Sequence, residues 1–349
     1  MTNDLLTRRG VLALAAGALF APPILRAARA QEETPIILRP DIDGVDPRYR
    51  AYALAGDFIV PTAPYKISSG LSEVAVFFPR GVTSARPIVF SHGALSSPMT
   101  YRELISQWVS QGYVVLAPQH DDAIIEQGPT IRKTNVREPS EWPISALLQD
   151  PSAWDKRVQS CRACLDIADM VEGFTGVKLD LSRPVVAGHG YGAYIAMTLL
   201  GASVTGPDGK PMSFHDPRFF SGIFMSPQGP GVMGLTDGSW KDLAAPGLFL
   251  VGENDLDFTG QPYEVKAKAY QLSHPGYKHL GVLKGGTANS FSGQMARSNE
   301  GEARLFEAIR AMTTAFVRAY ADYDQAAFKD MTTQFFQRMS LGAVTEYKR

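Results

Sequence analysis

Cysteine is nearly absent: Cys161 and Cys164 are the only two in 349 residues. Two thiols cannot complete a structural zinc site, and no second His or Cys pair adjoins them. Their C-x-x-C spacing falls in a helical pattern, where a disulfide three residues apart needs a distorted backbone. They are expected to be two small helix residues, with a disulfide the alternative in an oxidising compartment. Basic runs are missing after residue 30, so no electrostatic footprint for nucleic acid is present. The formal net charge is −1, and residues 1–30 hold four arginines and one aspartate, a balance of +3 that leaves −4 for the rest. Long apolar runs are missing as well. The longest N-terminal one, Val11 to Phe20, is far short of the roughly 20 residues a bilayer span needs.

That short run has neighbours that explain it. Thr7-Arg8-Arg9-Gly10 places paired arginines directly before it, and Pro22-Pro23 and Ala28-Arg29-Ala30 follow. The pattern reads as a cleaved export signal of the twin-arginine type over 1–30. A mature chain starting near Gln31 in the periplasm or outside the cell is expected, with no stable membrane span after cleavage.

The remaining 31–349 reads as one domain. Residues 31–65, rich in Pro and Asp, are expected to be an extended entry segment. Strand-like runs then alternate with helical patterns. The strands are Glu73–Phe78, Ile88–Ser91, Tyr113–Pro118, Pro184–Ala187, Ser221–Met225, Gly247–Val251 and His279–Leu283. The helices are Thr100–Gln111, Ala153–Gly173, Ala193–Leu200, Tyr263–Leu272 and Glu302–Ala321. Several strands are continuous apolar runs, as parallel strands buried on both faces require. The alternation predicts an α/β fold with a doubly wound, mostly parallel sheet. Residues 121–151 break it, too long for a simple connection, and are expected to form an insertion in the pocket wall after the fourth core strand. The tail 322–349 is expected to be helical and peripheral.

In open α/β sheets the ligand site lies beyond the carboxyl ends of the strands. One strand ends as Val185-Val186-Ala187-Gly188-His189-Gly190-Tyr191-Gly192-Ala193 and runs into a helix. This is the frame of a G-x-S-x-G nucleophile elbow, with Gly190 where the serine stands. Glycine tolerates the strained central conformation, so the turn survives while the nucleophile does not. A dinucleotide fingerprint with a final alanine (Gly188, Gly190, Ala193) also fits the spacing. It is disfavoured because the turn follows a mid-chain strand and no acidic residue about 20 positions on caps a second strand. A second strand ends in Ser91-His92-Gly93-Ala94-Leu95. There the backbone N–H of Ala94 would join that of Tyr191 in an oxyanion hole. His92 and Leu95 are expected beside the ligand, although a strand-end histidine satisfied by backbone accounts equally for the imidazole.

Taken together, several motifs resemble the predicted dienelactone hydrolases and the bacterial relatives of platelet-activating-factor acetylhydrolase. They are Phe90-Ser91-His92-Gly93, Tyr101, Gly112-Tyr113-Val114-Val115, Pro118-Gln119-His120, Asp216-Pro217-Arg218 and Met225-Ser226-Pro227-Gln228-Gly229. The likeness covers roughly residues 70 to 295. It implies an α/β-hydrolase fold with a sheet of the eight-stranded type and, for working members, ester hydrolysis by a Ser-His-Asp triad without a cofactor or metal.

The resemblance also exposes what is missing. Val251-Gly252-Glu253-Asn254-Asp255 matches the segment that carries the acid, making Asp255 the retained member. Gly285-Gly286-Thr287-Ala288-Asn289-Ser290-Phe291 matches the loop that carries the histidine, with Ala288 in its place. Nucleophile and base are absent together, which removes acyl transfer by this route. The expectation is a non-catalytic member that keeps a site for a small ester or acyl ligand. The alternative is an active carboxylic-ester hydrolase whose Ser-His-Asp triad is non-standard or was removed experimentally. Ser91 and Ser226 sit at strand ends without a base placed beside them by the sequence. His189 is expected to point into the scaffold, and His120 to lie on the far side of the elbow strand. His274 and His279 precede the last strand. A metal site from His120, Asp121 and Asp122 would need three adjacent residues to face one ion from an extended chain.

Overall fold

The computed structural model describes residues 45–123, 143–256 and 258–349. The leader at 1–30, residues 31–44 of the entry segment and most of the 121–151 insertion lie outside the described residues. Nine strands form one sheet. They are β1 (Tyr65–Ser68), β2 (Glu73–Phe77), β3 (Pro87–Ser91), β4 (Val114–Pro118) and β5 (Val185–His189), then β6 (Ser221–Met225), β7 (Gly247–Gly252), β8 (Lys278–Leu283) and β9 (Val344–Lys348). Their order is β1-β2-β4-β3-β5-β6-β7-β8-β9. Strands β3 to β8 are mutually parallel, whereas β1–β2, β2–β4 and β8–β9 pair antiparallel. Every residue of β3, β4, β6, β7 and β8 is buried, as the continuous apolar runs in several of them predict.

Two helical layers cover the sheet. On one side α1 (Pro47–Ala53), α2 (Arg102–Ser110), α8 (Glu300–Tyr320), α9 (Gln325–Met331) and α10 (Phe335–Met339) pack on Ile88, Phe90, Val115 and Ala187. On the other, α3 (Pro143–Leu148), α4 (Pro151–Asp166), α5 (Ala168–Thr175), α6 (Tyr191–Leu199) and α7 (Tyr263–Gln271) face Val89, Leu116, Val186, Phe224 and Phe249. After β3 the chain crosses to β4 on one side, and its later strands build outward from β5 on the other. The strand order therefore reverses between the adjacent ends of β3 and β5. A crevice opens at such a switch point.

Three expectations need correction. Residues 31–65 are not extended throughout, because Pro47–Ala53 is helical. Asp46 accepts from the Arg48 amide at 2.8 Å, Pro47 occupies the first turn, and Tyr49 and Tyr52 bury themselves against Phe335 and Phe336. The helix expected at 153–173 is two helices, α4 and α5, broken at Ile167. The tail 322–349 is neither all helical nor peripheral: it adds β9 to the sheet. There Tyr347 is buried, its ring 6.1 Å from that of His279 and its hydroxyl bonded to the Met331 carbonyl. Among the described residues no helix is long and apolar enough to cross a membrane.

Candidate functional site

Strand β5 delivers Gly190 at the N-cap of α6 with φ 55° and ψ −112°. An L-residue adopts this region only under strain. Its flanking glycines answer a different demand. A Cβ on Gly188 would run into the Gly192 carbonyl, and one on Gly192 into the Ser91 carbonyl. These two glycines let helix α6 close tightly on β5 and on the end of β3. A Cβ on Gly190 would meet no atom within 4 Å. The elbow is thus sterically sealed at its flanks and open at its centre.

The first intrahelical bond of α6 runs from the Tyr194 amide to the Gly190 carbonyl, so the Tyr191 amide precedes the hydrogen-bonded turn. Across the crevice, the chain leaves β3 through a turn in which the Ser96 amide bonds the Gly93 carbonyl and Leu95 takes a φ of 54°. This turn carries the Ala94 amide. The Tyr101 hydroxyl ties the two segments together: it accepts from the Gly93 amide at 3.2 Å and shares a hydrogen bond with His189 Nδ1 at 2.7 Å. His189 therefore points into the scaffold. Its ring lies 5.5 Å from that of Phe291, and burial with the nearby Lys266 charge pulls its pKa to about 3, opposed by the Ala288 carbonyl.

His92 does not face a ligand. It is fully buried, with Nδ1 on the Gly93 carbonyl at 2.7 Å and Nε2 accepting from the His120 amide at 3.1 Å. Both nitrogens are spent on backbone, which makes the imidazole a brace for the turn. Leu95 is partly exposed, its amide donating to Asp122 Oδ2 at 3.2 Å.

Behind this turn lies a residue that the sequence reading missed. Arg157 of α4 forms a bidentate pair with Asp122, Nε to Oδ1 at 2.9 Å and Nη2 to Oδ2 at 2.6 Å, with both side chains buried. Its Nη1 donates to the His92 carbonyl at 2.7 Å, and its guanidinium sits 4.1 Å from the centre of the Tyr191 ring. One side chain thereby links the β3 turn, the end of β4 and the start of α6. Asp122 was legible only as a metal candidate. With Asp122 held by Arg157 and His120 by Ser91, and Asp121 exposed, the three face different ways. Among the described residues, no group of three His, Cys, Asp or Glu is placed to hold a metal ion.

For Ser91 the expectation that no base stands beside it is also overturned. Ser91 Oγ and His120 Nε2 share a hydrogen bond at 2.9 Å. Both are buried, and desolvation and the Arg157 charge hold the imidazole well below its ordinary pKa, so it is a poor base. Ser226, in a left-handed conformation with φ 50° at the end of β6, accepts from Lys266 Nζ at 2.8 Å and donates to Asp255 Oδ1 at 3.1 Å. Lys266 also donates to Asp255 Oδ1 at 2.6 Å. An ammonium paired with a carboxylate has no lone pair with which to take the serine proton.

Asp255 sits in the turn that follows β7. Its amide closes a turn on the Gly252 carbonyl, and the Asn254 amide bonds the Gly286 carbonyl at 2.9 Å, fastening this loop to the one after β8. That second loop reaches Ala288 at the start of a 3-10 turn, Ala288–Ser292, capped by Thr287 and Ser290. Asp255 is fully buried, and burial raises its pKa against the pull of Lys266. Oδ1 takes both donors, while Oδ2 has no partner among the described residues. A fully buried carboxylate oxygen without a donor is uncommon.

His274 is exposed and bonds the Pro275 carbonyl, and His279 is buried between Tyr320 and Tyr347 in the first half of β8, so neither approaches the elbow end. Cys161 and Cys164 are free and buried. No protein-family model matches the chain, and no curated protein matches it.

Proposed function

We propose that this chain is an exported α/β-hydrolase-fold protein of the dienelactone-hydrolase and acetylhydrolase-like type, without acyl-transfer chemistry, that binds a small ester or acyl ligand. The reading rests on one observation above all: Gly190 holds the strained elbow conformation with nothing within 4 Å of its absent Cβ. A turn kept in that shape with no side chain to display fits a site that has lost its nucleophile and kept its frame. The other remnants agree with it. Oxyanion donors at Ala94 and Tyr191 would be backbone groups that outlast side-chain loss. The β3 turn and the start of α6 are the elements that supply them in this fold. Asp255 carries an Oδ2 without a partner among the described residues, of the kind that an imidazole on the Ala288 loop would satisfy. Insertion 121–151 would complete the pocket wall, and the leader at 1–30 would deliver the protein to the periplasm or beyond.

A second reading, an active ester hydrolase with unusual residues, draws on the pairs Ser91–His120 and Ser226–Lys266. Burial and the protonation states described above work against both.

The deciding experiment treats the purified protein with a fluorophosphonate probe and titrates it calorimetrically with short-chain ester products. No covalent labelling together with saturable binding is expected. Stoichiometric labelling of Ser91 or Ser226 would establish the active hydrolase instead, and absence of both labelling and binding would leave the frame without a ligand role.

A further inference from the structure

The outer face of the α2–α8 layer contains a buried charge that the elbow does not use. Arg310, midway along α8, is 6% exposed. Among the described residues its side-chain hydrogen bonds go to one neutral acceptor: Nε and Nη2 both donate to Gln107 Oε1. Gln107 is itself fixed, its amide donating to the carbonyls of Tyr52 at 2.9 Å and Leu54 at 2.6 Å. Glu103 and Glu307 act on the guanidinium only through space, and desolvation outweighs them, lowering its pKa to about 10. It remains a cation at neutral pH.

The guanidinium has two hydrogen-bonding edges. Gln107 occupies the side edge, formed by Nε and Nη2, which leaves the end edge of Nη1 and Nη2 without a protein acceptor among the described residues. Arg310 lines a cavity of about 260 Å³ between α2, α8 and residues 55–62. Arg102 and Arg297 line it as well. Its one acidic residue, Glu103, is ion-paired with Arg297, and Arg310 has no carboxylate within hydrogen-bond reach among the described residues. Phe58 and Val60 supply an apolar wall. An isolated desolvated cation is costly. An anion that enters finds the desolvation of its partner already completed and a planar edge matched to two oxygens.

We propose that this cavity binds a small oxyanion, a carboxylate or phosphate, end-on to Arg310 with Arg297 at its mouth. The volume admits an ion the size of phosphate or a short dicarboxylate and is below the roughly 300–1,000 Å³ of larger ligand pockets. The site is independent of any ligand at Gly190.

The test is calorimetric titration of the full chain with inorganic phosphate and, separately, succinate, at fixed ionic strength with chloride as control. Saturable binding of at least one, with a Kd of about 1 mM or tighter, is expected, and the arm that binds identifies the chemistry. Arg310→Lys keeps the charge and loses the planar edge, and should weaken binding about tenfold. Arg297→Gln, at the exposed mouth, should weaken it about threefold with circular dichroism unchanged. Heats equal to chloride in both arms, or an affinity unaltered by Arg310→Lys and by Arg297→Gln, would overturn the proposal.

Discussion

Lys266 Nζ lies 2.6 Å from Asp255 Oδ1, with both side chains removed from solvent. Asp255 is therefore neutralised by an ammonium on α7, from a residue that the sequence marks in no way. Breaking such a pair from one side strands a buried charge and typically costs about 3–5 kcal/mol. Lys266→Met should lower stability by that order in urea unfolding. Asp255→Asn combined with Lys266→Met should lose clearly less than Lys266→Met alone. An equal loss would mean that the pair is not coupled.

The glycines of the elbow should separate by cause. Gly190→Ala adds backbone strain at φ 55° but no clash, a cost of about 1–3 kcal/mol. Gly192→Ala drives a methyl group into the Ser91 carbonyl and should cost more, because β3 or α6 must move. Denaturation midpoints of the two variants check the order, and a reversed ranking would discredit the close approach of α6 to β3.

On the proposed reading, ester chemistry should appear only when serine and histidine are both supplied. Gly190→Ser with Ala288→His is expected to restore fluorophosphonate labelling and ester turnover, each single change falling far short. Because Lys266 already engages Oδ1, the new imidazole has Oδ2 to bond. Labelling of Gly190→Ser alone at the rate of the double variant would show that a base is already present.

Acid should destabilise the fold earlier than carboxylate titration alone predicts. Burial lowers His92, His189 and His279 to a pKa of about 3, so each is neutral when folded. The unfolded chain takes up these protons first as the pH falls below about 6.5. Stability is full above that pH and declines toward about 3, each histidine adding about 1.4 kcal/mol per pH unit to the slope. Unfolding free energies from pH 7 to 4 measure it, and a flat profile above pH 5 would contradict their burial.

The thiols should be inert. Burial pushes Cys161 up to about 12 and raises Cys164 as well. Neither should react with an alkylating reagent until the protein unfolds. Rapid native modification of either would show that α4 opens.

What was legible in the sequence was what repeats or punctuates. Apolar runs, continuous in several cases, marked β3 to β8, and glycines at 188, 190 and 192 marked the tight turn into α6. Asp255 was singled out only through the resemblance, by the segment Val251-Gly252-Glu253-Asn254-Asp255. Lys266 and Arg157 were not, since a charged residue within a helix usually faces water, and only tertiary packing turns these two inward. Strand β9 was missed because its buried positions, Val344 and Tyr347, are three apart and break the period of two. The Asp46-Pro47 start of α1 carried a capping signal that a Pro-rich composition masked.

The two outermost strands of the sheet share a feature whose consequence concerns other copies of the chain. An open sheet edge is a template on which a further strand can grow. Here β1 carries Lys66, paired across to Glu73 at 2.7 Å, and β9 carries Glu346 and Lys348, paired at 2.5 Å. All four side chains are substantially exposed. A strand docking at either end would have to strip water from these charges, so the sheet is protected against edge-to-edge polymerisation at both of its margins.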